Sequence, residues 1–259
     1  MLAEKIKQKL KNKQPSIGTW MTIAHPSIAE ILAMAGYEWV VIDTEHSAVD
    51  VSQVFGLLIA VEQRGAVPLV RLAGIDPIQA KAVLDSGAAG VIVPMVNTKA
   101  DAELVVSMTK FPPLGKRGVG LARAQGYGLD FDDYVKRNNA DSLVIVQIEH
   151  IDAVNNIEEI LSVRGIDGTF IGPYDLSLSL GVPGQLSHPL VTEAKEKVLK
   201  AALKHGLVAG THIVQPATAA SECEIAVKEG YTFIAVGADN LFLRDGAKNL
   251  YSDIRKSIG

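Results

Sequence analysis

Residues 38–94 read EWVVIDTEHSAVDVSQVFGLLIAVEQRGAVPLVRLAGIDPIQAKAVLDSGAAGVIVP, and the fold is decided there. Three runs rich in Val, Ile and Leu begin at residues 38, 67 and 90. That spacing is close to the least that a strand, a crossover and a return require. The runs are nearly continuous in apolar residues, with no strict polar alternation, as expected for parallel strands covered on both faces. Asp76-Pro77 reads as the N-cap and first residue of the helix between the second and third runs. Gly65 and Gly87 each stand just after a helical stretch and just before a strand, where a left-handed residue reverses the chain.

The same unit continues in both directions. Further strands are expected at IGTW (17–20), LVIVQIE (143–149), IDGTFIG (166–172), LVAGTHI (207–213) and YTFIAVG (231–237), with helix exits at Gly36, Gly165, Gly206 and Gly230. Pro26 opens a helix whose Ile28, Ile31, Leu32 and Ala35 follow helical spacing. No linker-like segment divides the chain. Eight βα units predict an α/β fold, a (β/α)8 TIM barrel forming a single domain over residues 1–259, with insertions at 95–142 and 173–206. An open doubly wound sheet is the alternative, but the first βα turn, TWMTIAHP, lacks the GxGxxG phosphate turn.

Composition narrows the function classes. A hydrophobic fraction of 48% with 21% charged residues excludes disorder, collagen and coiled coil. A net charge of −4 with scattered Lys and Arg argues against a nucleic-acid surface or a polybasic membrane patch. Cys223 is the only cysteine, which excludes an intrachain disulfide and a cysteine metal cluster and points to a reducing cytoplasm. The opening MLAEKIKQKLKNKQ has no apolar signal core, and runs such as VIVPMV (91–96) are too short to span a bilayer.

Chemistry in such a barrel gathers at the C-terminal strand ends. The polar residues expected there are Asp43-Thr44-Glu45-His46, Arg71, Gln147-Ile148-Glu149-His150, Gly172-Pro173-Tyr174-Asp175 and Thr211-His212. Glu149 and Asp175, on neighbouring strand ends, suit a hard divalent cation completed by water and substrate oxygens; Mg2+ or Mn2+ fits, with Co2+ or Zn2+ as further options. Either carboxylate can equally cap the helix that follows it. His46 comes three residues after Asp43, which can orient an imidazole for general-base work. Arg71 offers a permanent cation to a carboxylate or a developing enolate oxygen, or a salt bridge inside the mouth. His150 and His212 have weaker claims, while His25, His188 and His205 fall where helices start or end.

A Schiff-base mechanism needs a desolvated lysine inside the barrel, and no strand segment contains one. Metal stabilisation of an enolate is therefore favoured. The turn VGADN (236–240) is a weak phosphate candidate, so a phosphorylated substrate is not expected.

The segments EWVVIDTEHSAVD, PLVRLAG, GVIVPMVNT, KRGVGLARAQGYG, VQIEH and FIGPYDLSLSLG, in this order, resemble the HpcH/HpaI aldolase family nearly end to end. The resemblance implies a metal-dependent class II pyruvate aldolase of the phosphoenolpyruvate/pyruvate superfamily, cleaving 4-hydroxy-2-oxo acids to pyruvate and an aldehyde. It implies metal ligands at Glu149 and Asp175, an oxo-acid-binding amide at Gln147, and an arginine at Arg71 with an Asp–His pair at Asp43 and His46. Backbone N–H groups around Gly172, Tyr174 and Asp175 would hold the substrate carboxylate. It also implies a homo-oligomer, a hexamer built as a trimer of dimers, with the C-terminal segment 241–257 exchanged between subunits.

Departures from the family pattern bear on specificity. Tyr174 stands where well-known members carry alanine, and Thr44 and Ser47-Ala48 replace small residues that often flank the Glu-His pair. Arg123 and Tyr127, in the 112–135 insertion, are candidates to shape the acceptor side across a subunit boundary. Two rivals follow: a carbon–carbon bond-forming relative, citrate-synthase-like or running the aldol in the condensing direction, and a non-catalytic barrel that only binds oxo acids.

Overall fold

The computed structural model describes residues 2–258. Eight strands follow one another as β1 (Ser16–Met21), β2 (Trp39–Asp43), β3 (Val67–Arg71), β4 (Gly90–Val93), β5 (Leu143–Ile148), β6 (Gly168–Ile171), β7 (Val208–Ile213) and β8 (Phe233–Ala238). Each pairs in parallel with the next, and β8 returns to β1, closing the barrel. Closure removes the open-sheet alternative, and five of the eight strands, β2 to β6, are buried at every residue.

The helices begin and end on the signals read in the sequence. Pro26 and Pro77 are the first residues of the helices Pro26–Met34 and Pro77–Asp85, and Asp76 accepts a 2.8 Å hydrogen bond from the Ile78 N–H. Asp50 and Gln53 form a reciprocal capping box for the helix Val51–Gln63, so two otherwise unpaired donors are satisfied at its start. All six exit glycines adopt positive φ, from 68° at Gly206 to 113° at Gly165. His25 and His188 cap helix N-termini, and His205 ends the helix Pro189–Lys204 with Nε2 2.8 Å from Glu158.

Two apolar layers result from the strand alternation. Val40, Ile42, Val70, Val91, Val93 and Val146 point outward and pack against the helices. Val41, Leu69, Ile92, Ile145, Phe170 and Phe233 point inward and fill the barrel. Trp39 stacks on Phe233 with ring centroids 4.0 Å apart. Gly18 makes room for it, because a Cβ there would stand 2.0 Å from the Trp39 ring. Ile6 and Leu10 of the helix Leu2–Lys11 join the inner layer, so that helix seals the N-terminal end and the C-terminal end is left as the mouth.

The insertion after β4 runs away from the mouth. The 11-residue helix Lys99–Thr109 carries the chain down the barrel side, and the turn that follows it docks at the far end. There Arg123 donates to the Ser86 carbonyl, just before β4, and pairs with Glu62. Arg123 and Tyr127 therefore do not reach the mouth of their own chain. Lys110 is buried at the same end, 2.7 Å from the Ser142 carbonyl, and burial pushes its ammonium down to about 8 despite Asp167 nearby. The most desolvated lysine thus lies opposite the chemistry, as the argument against a Schiff base requires. Among the described residues no helix is long and apolar enough to cross a membrane.

Candidate active site

The mouth opens into a cavity of about 270 Å3 lined by strand ends and the loops after them, including Trp20, Arg71, Gln147, Asp175 and His212. Trp20, Arg71, Gln147 and His212 lie on strands, whereas Asp175 lies in the first turn of the helix Pro173–Ser179 that follows β6. Asp43 and Arg71 are paired partners in the register of β2 and β3. Their side chains meet as a forked ion pair, Arg71 Nε donating to Asp43 Oδ1 at 2.9 Å and Nη2 to Oδ2 at 2.6 Å. The third arm, Nη1, lies 3.0 Å from Glu45, and the guanidinium sits 4.5 Å above the Trp20 ring.

This arrangement corrects the expected Asp43–His46 pair. Both oxygens of Asp43 are engaged by Arg71, and Oδ1 also accepts the backbone N–H groups of Glu45 and His46. Asp43 thus shapes the backbone that carries His46 and leaves the imidazole alone. The ring stands instead 3.8 Å from Glu45, with 59% of the side chain exposed at the rim. Burial would raise the Asp43 carboxyl, but the hydrogen bonds and charge of Arg71 outweigh it and hold it below the usual carboxylate range.

Glu45 is the residue that sequence reasoning passed over. Burial pushes it up to about 7; Arg71 pulls it down, while Glu149 adds to the rise. A carboxyl that rises from an ordinary 4.5 to about 7 on folding takes up a proton with the native state, so stability falls as pH climbs through that interval. The metal-free protein is expected to melt at progressively lower temperature from about pH 4.5 to about pH 7. Glu45→Gln should flatten that slope in thermal melts, leaving the part due to Glu149; an unchanged slope would show that Glu45 titrates normally.

Asp175 lines the mouth cavity, and its charge acts on the buried Glu149 at the end of β5. Glu149 does not cap the next helix, a place taken by His150, whose side chain accepts from the Asp152 N–H. Its Oε1 accepts the Met95 N–H at 2.8 Å, and its Oε2 accepts from the Gln147 amide. Asp175 lies in the first turn of the helix Pro173–Ser179, accepts no hydrogen bond from the described residues, and faces Glu149. Burial first, and then the charge of Asp175, raise Glu149 above the usual range against the bonds from Met95 and Gln147.

The residues present fit a hard divalent cation. The charge of Asp175 disfavours that of Glu149, a strain a cation held by both would relieve, and Gln147 Oε1 is buried without a donor. Gly172 keeps the space open, since a Cβ there would stand 2.5 Å from Glu149 Oε2. No third His, Cys, Asp or Glu joins the pair among the described residues, so solvent and substrate oxygens would supply the remaining positions.

Of the expected carboxylate-binding N–H groups, Gly172 is already committed, donating to the Ile148 carbonyl at 3.3 Å. Those of Tyr174 and Asp175 lie in a first helical turn, where no intrahelical acceptor exists. At VGADN, Asp239 itself accepts the Thr22, Ile23 and Asn240 N–H groups, so a carboxylate already occupies the place a phosphate would need. Trp20 and His212 also line the cavity, with ring centroids 5.6 Å apart.

A closed parallel barrel, sealed below and carrying acids and a clamped arginine at its upper rim, belongs to the class of (β/α)8 barrels, whose functional residues gather at the C-terminal face. The description of the HpcH/HpaI aldolase/citrate lyase family matches residues 16–245, and the chain belongs to that family as an aldolase/lyase-type enzyme. It is 36% identical over 253 residues to 5-keto-4-deoxy-D-glucarate aldolase of Escherichia coli (strain K12), covering 97% of each. A family protein of Burkholderia cenocepacia J2315 superposes with a TM-score of 0.90 at 35% identity, covering 97% of this chain and 99% of that one. A citrate synthase superposes with a TM-score of 0.85 at 27% identity, covering 98% of both chains.

Proposed function

We propose that this chain is a divalent-metal-dependent aldolase cleaving 4-hydroxy-2-oxo acids to pyruvate and an aldehyde, with Mg2+ or Mn2+ held by Glu149 and Asp175. The observation that supports the reading is the electrostatic coupling of Glu149 to Asp175, with Asp175, Gln147 and Arg71 all lining one cavity. When bound, the cation supplies electrophilic stabilisation of the enolate that forms as the bond between the third and fourth carbons breaks. Arg71, fixed by Asp43 and Glu45, donates to the developing oxyanion. Gln147 and the N–H groups of Tyr174 and Asp175 hold the oxo-acid end. His46, at the rim beside Glu45, takes the proton from the 4-hydroxyl. The electron pair of the broken bond enters the enolate, which is protonated at the third carbon to give pyruvate, and the 4-hydroxyl carbon leaves as the aldehyde.

The experiment is a coupled assay in which lactate dehydrogenase reports pyruvate released from 4-hydroxy-2-oxo acids of graded length, with and without added Mg2+ or Mn2+. Metal-dependent pyruvate release is expected; equal rates in EDTA would overturn the reading. A condensing reaction is favoured instead only if excess pyruvate and an aldehyde accumulate product faster than the reverse releases pyruvate, an outcome to which the likeness to a citrate synthase gives weight.

The single barrel domain over 1–259, the cytoplasmic location and the oligomer belong to the same proposal. The 20-residue helix Asp239–Ile258 buries only Asp239 and exposes Leu243, Leu250, Tyr251 and Ile254. These side chains support exchange of 241–257 in a hexamer. Leu121, Tyr127 and Leu129, exposed on the far-end loop, support a role for that loop beside a neighbouring subunit.

A further inference from the structure

His212 lines the mouth cavity, and nothing in the chemistry proposed above uses it. It lies on β7, one of the few strand positions that are only partly buried. Its Nε2 is 3.0 Å from the Gly237 carbonyl, so the proton belongs on Nε2 and the ring is fixed as the neutral tautomer. Nδ1 is then a bare acceptor, and it has no partner among the described residues. Trp20 and Phe170 flank the ring at centroid distances of 5.6 and 6.4 Å and hold its plane. Trp20 in turn keeps a buried Nε1–H that finds no acceptor.

Burial pushes the imidazole down to about 4, against the pull of the Gly237 carbonyl, so the ring stays neutral through the physiological range. A base that weak is poorly matched to proton abstraction near neutrality, which leaves His212 a hydrogen-bond acceptor. The polar groups that share the cavity with it include Thr22, Tyr174 and Asn240, none of them a carboxylate or an amine cation. Arg71, the one cation lining the cavity among the described residues, is already shared by Asp43 and Glu45.

Resting on the aldolase reading, we propose that His212 selects the aldehyde part of the substrate: Nδ1 accepts a hydrogen bond from a neutral hydroxyl beside the aldehyde carbon. A hydroxyl can donate to this unpartnered acceptor. An alkyl group cannot, and covering the acceptor without a donor is costly. A carboxylate cannot donate and would oppose the Nδ1 lone pair. The substrate class is therefore a 4-hydroxy-2-oxo acid that releases a 2-hydroxyaldehyde.

The test is aldol addition of pyruvate to glycolaldehyde, acetaldehyde and glyoxylate by the Mg2+- or Mn2+-supplied enzyme, comparing ratios of kcat/KM within each variant so that the folded fraction cancels. Relative to the wild type, His212→Leu is expected to lower the glycolaldehyde-to-acetaldehyde ratio by about 5- to 10-fold, the worth of one neutral hydrogen bond. The glycolaldehyde-to-glyoxylate ratio should fall with it. His212→Asn, which keeps an acceptor near the Nδ1 position, should retain most of both. Ratios in His212→Leu that stay at wild-type values would overturn the assignment while leaving the aldolase reading intact. Failure of the wild type both to add any aldehyde and to exchange the pyruvate methyl protons with D2O would overturn both.

Discussion

Glu149→Gln is expected to lower pyruvate release by at least about a thousandfold, and EDTA should do the same to the unaltered protein. A thousandfold is roughly 4 kcal/mol of barrier, within the several kcal/mol that electrophilic stabilisation of an enolate supplies. The substitution is nearly isosteric and can keep the hydrogen bond from the Met95 N–H, so the fold should survive it. Burial and the neighbouring Asp175 disfavour the Glu149 charge, so removing it relieves a repulsion in the metal-free state. The variant should therefore melt no lower than the wild type without metal, yet gain less stability when Mn2+ is added. Thermal melts with and without Mn2+, beside the coupled assay, separate this from a simple loss of structure. A variant that kept both its turnover and its metal-induced stabilisation would remove Glu149 from the site.

The barrel was legible because its signals are local. Pro26, Asp76 and the six glycines mark helix ends by their own conformational limits, and each does so in the structure. The Val/Ile runs declare strands covered on both faces, and boundaries shifted by only a residue or two, as where β6 begins at Gly168 and not at 166. Once the strands were fixed, Glu149 and Asp175 followed as residues just beyond the ends of the neighbouring strands β5 and β6.

Partnership across strands was not legible, because it depends on register and rotamer. Asp43 looked like a partner for His46, three residues away, but the in-register neighbour on β3 is Arg71, and a forked guanidinium outcompetes a rim imidazole for a buried carboxylate. Glu45 seemed only a flanking residue until its ion pair with Arg71 appeared. The same limit hid His212, whose tautomer is set by a carbonyl at Gly237 on the adjacent strand, two positions beyond its paired residue, Ala235. The place of the 112–135 insertion within its own chain was not legible either, since it leaves β4 at the mouth and the helix Lys99–Thr109 takes it to the far end before it turns.

Arg71→Ala should show two large effects at once, and their separation tests what the clamp is for. The guanidinium neutralises two acids that are largely withdrawn from water, with Asp43 2% exposed as a residue and Glu45 at 15% in its side chain. Removing it leaves both carboxylates without a cation, a change that costs about 3–5 kcal/mol when a buried pair is broken. Turnover should fall by about 100- to 1,000-fold, the usual loss when one donor to a developing oxyanion is taken away. Arg71→Lys keeps a positive charge but not the fork, so it should recover much of the stability and little of the rate. Arg71→Ala combined with Asp43→Asn removes one of the stranded charges and should regain stability without regaining turnover. Recovery of turnover together with stability in that double variant would mean that Arg71 only holds the mouth together. Persistence of the rate loss in a restabilised protein is expected, because the donor that meets the enolate oxygen is still missing.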